Sequence, residues 1–110
     1  MNASQDFEGP AVASRIISYQ AGAIVSRILT KTPNGSVTMF AFDKGQELSE
    51  HTVPFEAVVS VVDGEGLFTI GGAAHTLRAG DVIRMPAGVP HAVRATESFK
   101  MMLSMVKAAI

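Results

Sequence analysis

Short runs rich in Val, Ile, Thr, Phe and Met recur along this chain, and turn-forming residues separate them: "TPNGS" (32–36), "DKGQ" (43–46), "DGEG" (63–66), "GG" (71–72), "RAGD" (78–81), "PAGVP" (86–90) and "ATES" (95–98). Regular turns bounding such runs indicate an all-β sandwich or barrel. No window keeps a 3.6-residue apolar period well enough to predict a helix. The tail "SFKMMLSMVKAAI" has helix-favouring residues, but the β pattern before it favours a strand through Lys107. The predicted strands are 15–19, 23–31, 36–43, 50–62, 66–71, 74–77, 82–85, 91–95 and 98–107. "PNG" predicts a hairpin, because Asn and Gly tolerate positive φ. Residues 1–14 read as a loose arm and 15–110 as one barrel domain.

Two of these strands are apolar on both faces. Ala57, Val59 and Val61 alternate with Val58 and Val62, and Phe99, Met101, Leu103 and Met105 alternate with Met102 and Val106. One face lines the core, and the other needs cover. A second sheet, the N-terminal arm or another subunit could supply it; in a chain this short a second copy is the favoured cover, so a homodimer is predicted.

The 110 residues suffice for one small core. With 47% hydrophobic and 17% charged residues, the chain is not of the disordered class. A net charge of −1 provides no basic footprint for nucleic acid. The absence of cysteine excludes disulfides and thiolate metal sites. No apolar run approaches the roughly 20 residues that span a bilayer. The polar start MNASQDFEGP lacks the basic and apolar regions of a signal peptide, so a cytoplasmic location is the default expectation.

Three histidines could carry chemistry. His75 sits just after a turn, where histidine is usually solvated. His51 opens "HTVPFEAVV" (51–59), and strand parity puts Val53, Phe55, Ala57, Val59 and Val61 on its face. His91 follows "GDVIRMPAGVP", where Gly88 permits a tight reversal and Pro90 stiffens the entry, so its imidazole is held by rigid turns.

"G-x5-P-x-G-x2-H", from Gly80 to His91, matches the second conserved motif of the cupin superfamily. Gly45, His51 and Gly64 match parts of its first, G-x5-H-x-H-x(3,4)-E-x6-G. The chain therefore resembles a small single-domain cupin over about 37–106, and "DKGQELSEHTVPFEA" looks like a subgroup of short bacterial cupins of unassigned function. The resemblance implies a double-stranded β-helix, or jelly-roll barrel. In metal-binding cupins two His and a carboxylate of the first motif join the His of the second around one ion. Here His51 and His91 occupy two of those places, while Val53 and Ala57 stand at the second His and the carboxylate.

A first-row metal usually takes three or four protein ligands. Glu56 is the nearest carboxylate, but a regular strand points it away from His51 unless a bulge at Pro54 reverses it. Glu47 and Glu50 lie on the preceding segment. A divalent transition metal on His51 and His91 is thus an incomplete set. The alternative is a small-molecule pocket walled by His51, Val53, Phe55, Ala57, Val59, Met85 and His91, with few polar groups on apolar walls. Met39, Met101, Met102 and Met105 could add adaptable lining, but ordinary core filling is the favoured reading of them.

A small-molecule-binding barrel is the leading expectation. A metal-dependent, dioxygenase-like enzyme with an unidentified third ligand is the alternative. A metal-free isomerase or epimerase, with Tyr19 or a recruited carboxylate as acid, and a purely structural barrel complete the field. An arginine turned inward, from Arg84 or Arg94, would indicate an anionic ligand. Whether the protein is an enzyme stays open at this stage.

Overall fold

A computed structural model of the chain describes residues 7–108. Eight strands form: β1 (Ile24–Thr32), β2 (Gly35–Phe42), β3 (Glu47–His51), β4 (Phe55–Ile70), β5 (Ala73–Arg78), β6 (Val82–Met85), β7 (His91–Arg94) and β8 (Phe99–Lys107). All the pairings are antiparallel. One sheet runs β1-β2-β8-β4-β6 and the other β5-β4-β7-β3, with β4 shared between them. A shared, curling strand between two antiparallel layers makes a jelly-roll barrel. Among the described residues no helix is long and apolar enough to cross a membrane.

The 16 residues of β4 correct the expected pair of strands 50–62 and 66–71. "DGEG" does not reverse the chain. It carries a register irregularity between Val61 and Asp63, and β4 bends there from one sheet into the other. The glycines serve close approach: a Cβ on Gly64 would lie 1.8 Å from the Ser98 carbonyl oxygen, and one on Gly66 would lie 2.9 Å from the Phe99 ring. The strand expected to begin at residue 50 also breaks at 52–54, so β3 ends at His51 and pairs with β7 rather than running into β4.

The hairpin at "TPNGS" is present, with Thr32 opposite Gly35. Its reason differs from the expected one. No residue other than glycine has positive φ among the described residues, and Gly35 is needed because a Cβ there would lie 2.4 Å from the Met105 carbonyl oxygen.

The expected strand 15–19 is absent. A 3-10 turn covers Ala13–Arg15, and the following residues are irregular. Side-chain cations bind carbonyls here in place of a ladder: Lys100 Nζ donates to Ser14 O at 2.7 Å and Arg27 Nη1 to Ile16 O at 3.3 Å. These contacts tie the segment to β8 and β1 through single carbonyls, Ser14 O just before the expected strand and Ile16 O within it.

Phe99 links the two layers of the core. It stacks on Phe42 of β2, with centroids 4.5 Å apart, and takes Phe68 of β4 edge-on at 5.8 Å. Ala57, Val59, Val61, Leu77, Met85, Val93 and Met101 fill the space around them. The outer face of the β8 sheet is less well covered: Val58 and Val82 remain 41% and 63% exposed, although part of the N-terminal segment lies across this face.

Candidate functional site

His51 and His91 meet because β3 slips against β7. The register shift between Leu48 and His51 sets the two histidines directly opposite one another. Their ring centroids are 4.4 Å apart with planes at 65°, an edge-to-face pair. His91 shares strand parity with core residue Val93 and is 5% exposed, whereas His51 is exposed at the rim.

Both rings are oriented by backbone carbonyls two residues back. His51 Nδ1 lies 2.9 Å from Ser49 O, and His91 Nδ1 lies 3.3 Å from Val89 O. A carbonyl oxygen only accepts, so each Nδ1 carries the proton and donates it. Nε2 is then the atom each ring offers to a ligand. Burial holds His91 below the ordinary histidine range. The Val89 carbonyl works against that depression, and the neighbouring His51 adds to it. At neutral pH His91 therefore presents a lone pair on Nε2.

The loop before His91 is fastened at several points. Gly88 takes φ of +78° and donates its N–H to Val53 O at 3.0 Å. The Pro90 carbonyl accepts from Gly71 N at 2.8 Å. Glu56 Oε2 accepts from Ala87 N at 2.8 Å, while its Oε1 accepts from Arg84 Nε at 2.9 Å and pairs with Arg84 Nη2 at 2.8 Å. These contacts lower the Glu56 pKa, the Ala87 N–H first and then Arg84. Glu56 thus faces away from the imidazoles despite the break at Pro54, and it secures the loop that carries His91. Sequence reasoning saw Glu56 only as a possible ligand, because a contact to a backbone N–H 31 residues away leaves no local pattern.

Arg84 and Arg94 are exposed, so neither enters the barrel. Glu47 and Glu50 are exposed on β3, and His75 is exposed on β5. Tyr19 donates its hydroxyl to Asp63, and Lys100 lies 4.7 Å from the centre of its ring. Burial first, and then Asp63, raise the Tyr19 phenol well above the ordinary range. Lys100 pairs with Ala41 and alternates with the core residues Phe99 and Met101 on β8, so this cluster lies outside the barrel. The isomerase reading thereby loses its tyrosine acid.

Of the other expected pocket residues, Ala57, Val59 and Met85 belong to the closed core. Val53 is half-buried, and its carbonyl serves the Gly88 N–H. Phe55 is half-buried and lines a cavity of about 390 Å³ with Ile28, Lys31, Ser36, Thr38 and Met105. These walls come from the β8 sheet, whereas the imidazoles come from the sheet that contains β3 and β7. Thr38 was missed as a site residue, and Met105 had been weighed as lining but set below core filling. The alternation Ser36, Thr38, Phe40, Phe42 on one face of β2 is the signal that would have found Thr38.

A barrel of two curled antiparallel layers with a histidine pair on an inner face defines a class, and the comparisons with known proteins name it. The family described as "Cupin domain" matches residues 38–107, and the chain belongs to that family. It is similar to a conserved protein of unknown function from Streptococcus pyogenes, at 31% identity and TM-score 0.87, over 99% of this chain and 100% of that one. It is also similar to a cupin 2 conserved barrel domain protein from Leptotrichia buccalis, at 41% identity and TM-score 0.82, over 86% of this chain but 46% of that one. A variant of salicylate 1,2-dioxygenase from Pseudoaminobacter salicylatoxidans shares the fold, at 19% identity and TM-score 0.70, over 78% of this chain and 27% of that one. No curated protein matches the chain significantly.

Proposed function

We propose that this cupin binds a small molecule inside the barrel, against the paired imidazoles of His51 and His91. The observation that carries the reading is the pair itself. Two imidazoles are each anchored through Nδ1 to a backbone carbonyl, each with Nε2 left for a ligand. Few polar groups set on apolar walls is the usual make-up of a small-molecule site. Neutral His91 suits a ligand hydroxyl or N–H, which would donate to Nε2.

The family also includes metal sites, and the donor set decides how well one fits here. Among the described residues no group of three or more His, Cys, Asp or Glu could hold an ion. Val53 and Ala57 supply no donor, and Glu56 is engaged with Arg84 and Ala87. Two imidazoles alone do not fit a tightly held metal.

The test is metal content by mass spectrometry on protein purified without chelator, beside the His51→Ala/His91→Ala double variant. The expected result is well below one equivalent of metal, with folded protein in both samples. Near-stoichiometric metal that vanishes in the variant would overturn the reading and favour a metal-dependent enzyme.

A further inference from the structure

We infer that the ligand is an amphiphilic carboxylate, whose apolar body fills the cavity on the β8 sheet and whose anionic head lies at Lys31. The inference rests on the reading of the barrel interior as a ligand site and adds the chemical class. The cavity volume of about 390 Å³ falls within the range of small-molecule sites. Ile28, Phe55 and Met105 give it apolar walls.

Of the hydroxyls that line it, Thr32 is engaged with Gly35 O and Asn34 N, which leaves Thr38 and Ser36. Thr38 is only 8% exposed, and its hydroxyl makes no hydrogen bond to the described protein. Among the described residues, no side-chain oxygen or nitrogen sealed from solvent lacks a partner, so this hydroxyl opens on cavity space. Water reaches this hydroxyl, and a ligand oxygen would take the water's place on it. Ser36 lies two residues away on the same face of β2 and offers a second hydroxyl.

Lys31 stands at the rim, and its ammonium makes no ion pair among the described residues. No carboxylate lines the cavity. One cation and two hydroxyl donors, with no acid to oppose them, match a group of single negative charge with two acceptor oxygens. A phosphate would call for the arginine forks or clustered backbone N–H groups that this cavity does not have.

The experiment compares phenylacetate with 2-phenylethanol, which keeps the body and removes the charge. Proton NMR follows the Met105 methyl for the cavity and the imidazole protons of His51 and His91 for the pair. Phenylacetate is expected to shift Met105 saturably, with 2-phenylethanol roughly tenfold weaker. Lys31→Gln, at an exposed position, is expected to weaken phenylacetate roughly fivefold and leave the alcohol unchanged. Equal binding of the two probes, indifference to Lys31→Gln, or a Met105 methyl that neither probe moves would each overturn the inference. The imidazoles report separately. If they respond to the alcohol while Met105 ignores phenylacetate, the histidine site stands and the ligand class falls. If Met105 and Lys31 behave as expected while the imidazoles stay fixed, the carboxylate class stands and the histidine pair is excluded from the site.

Discussion

His91 lies edge-to-face against His51 at 4.4 Å, buried while its partner is exposed, and both rings are held through Nδ1 by a carbonyl two residues back. A pair built in this way offers two Nε2 atoms at one place but only one ring that is shielded from water. The shielded ring is the one whose protonation is coupled to folding.

His91 should titrate below the ordinary value of 6.5, because burial disfavours its charged form. The unfolded chain then binds the proton more readily than the folded one. The stability associated with neutral His91 is complete above the unfolded value and is lost as pH falls through the folded one. Thermal stability of the wild type should therefore fall more than that of His91→Asn as pH drops below the ordinary histidine value of 6.5. Parallel pH profiles for the two proteins would show that His91 is not the group responsible.

Glu56→Gln should loosen the loop before His91 without unfolding the barrel. The substitution removes the charge that accepts from Ala87 N and pairs with Arg84. Hydrogen exchange at the Ala87 amide should become faster, while amides in the middle of β8 stay protected. Since the folded-state pKa of Glu56 is lowered, its contribution is present above the ordinary value of 4.5 and is lost as pH falls below it. Unchanged protection at Ala87 would mean that the loop is held by its own turns alone.

Gly64→Ala should be severe and Gly72→Ala mild. Both glycines have positive φ, at 75° and 87°. At Gly72 a Cβ meets nothing within 4 Å, so the expected cost is the left-handed backbone alone, about 1 kcal/mol. At Gly64 the Cβ would collide with the Ser98 carbonyl and the Phe99 backbone, and a loss of about 3 kcal/mol or more is expected. Urea unfolding of the two variants checks the contrast. Equal losses would contradict the close packing of β4 against the start of β8.

Val58 and Val82 leave an apolar area on the outer face of the barrel, and a second copy of the chain is the cover we propose for it. Sedimentation across a concentration series should show a dimer, and Val82→Glu should shift it toward monomer. A wild-type monomer throughout the series would remove the proposal.

Much of the barrel could be read from local pattern. β1, β2, β6, β7 and β8 lie close to the runs that define them, because a strand with one face in a core must alternate. The closed turn "PAGVP" before His91 was equally legible, since glycine and proline constrain their own backbone. "DGEG" was not. A glycine that permits a turn and a glycine that admits a neighbouring strand look identical until β8 is packed against β4. Residues 15–19 failed for a related reason: their side chains look strand-like, but the contacts that hold this segment are side-chain ones from distant strands, Lys100 to Ser14 O and Arg27 to Ile16 O.

By itself the sequence determined an all-β barrel, the histidines able to serve it, and the absence of donors at 53 and 57. These are properties of residue type and spacing, and they survive without coordinates. Tertiary structure alone decided that β3 slips so that His51 meets His91, that Glu56 turns outward to hold the Ala87 loop, and that Thr38, Met105 and Lys31 share a cavity with Phe55. Each of these depends on which strands become neighbours. That choice is made by the whole core through Phe42, Phe68 and Phe99, not by any one segment.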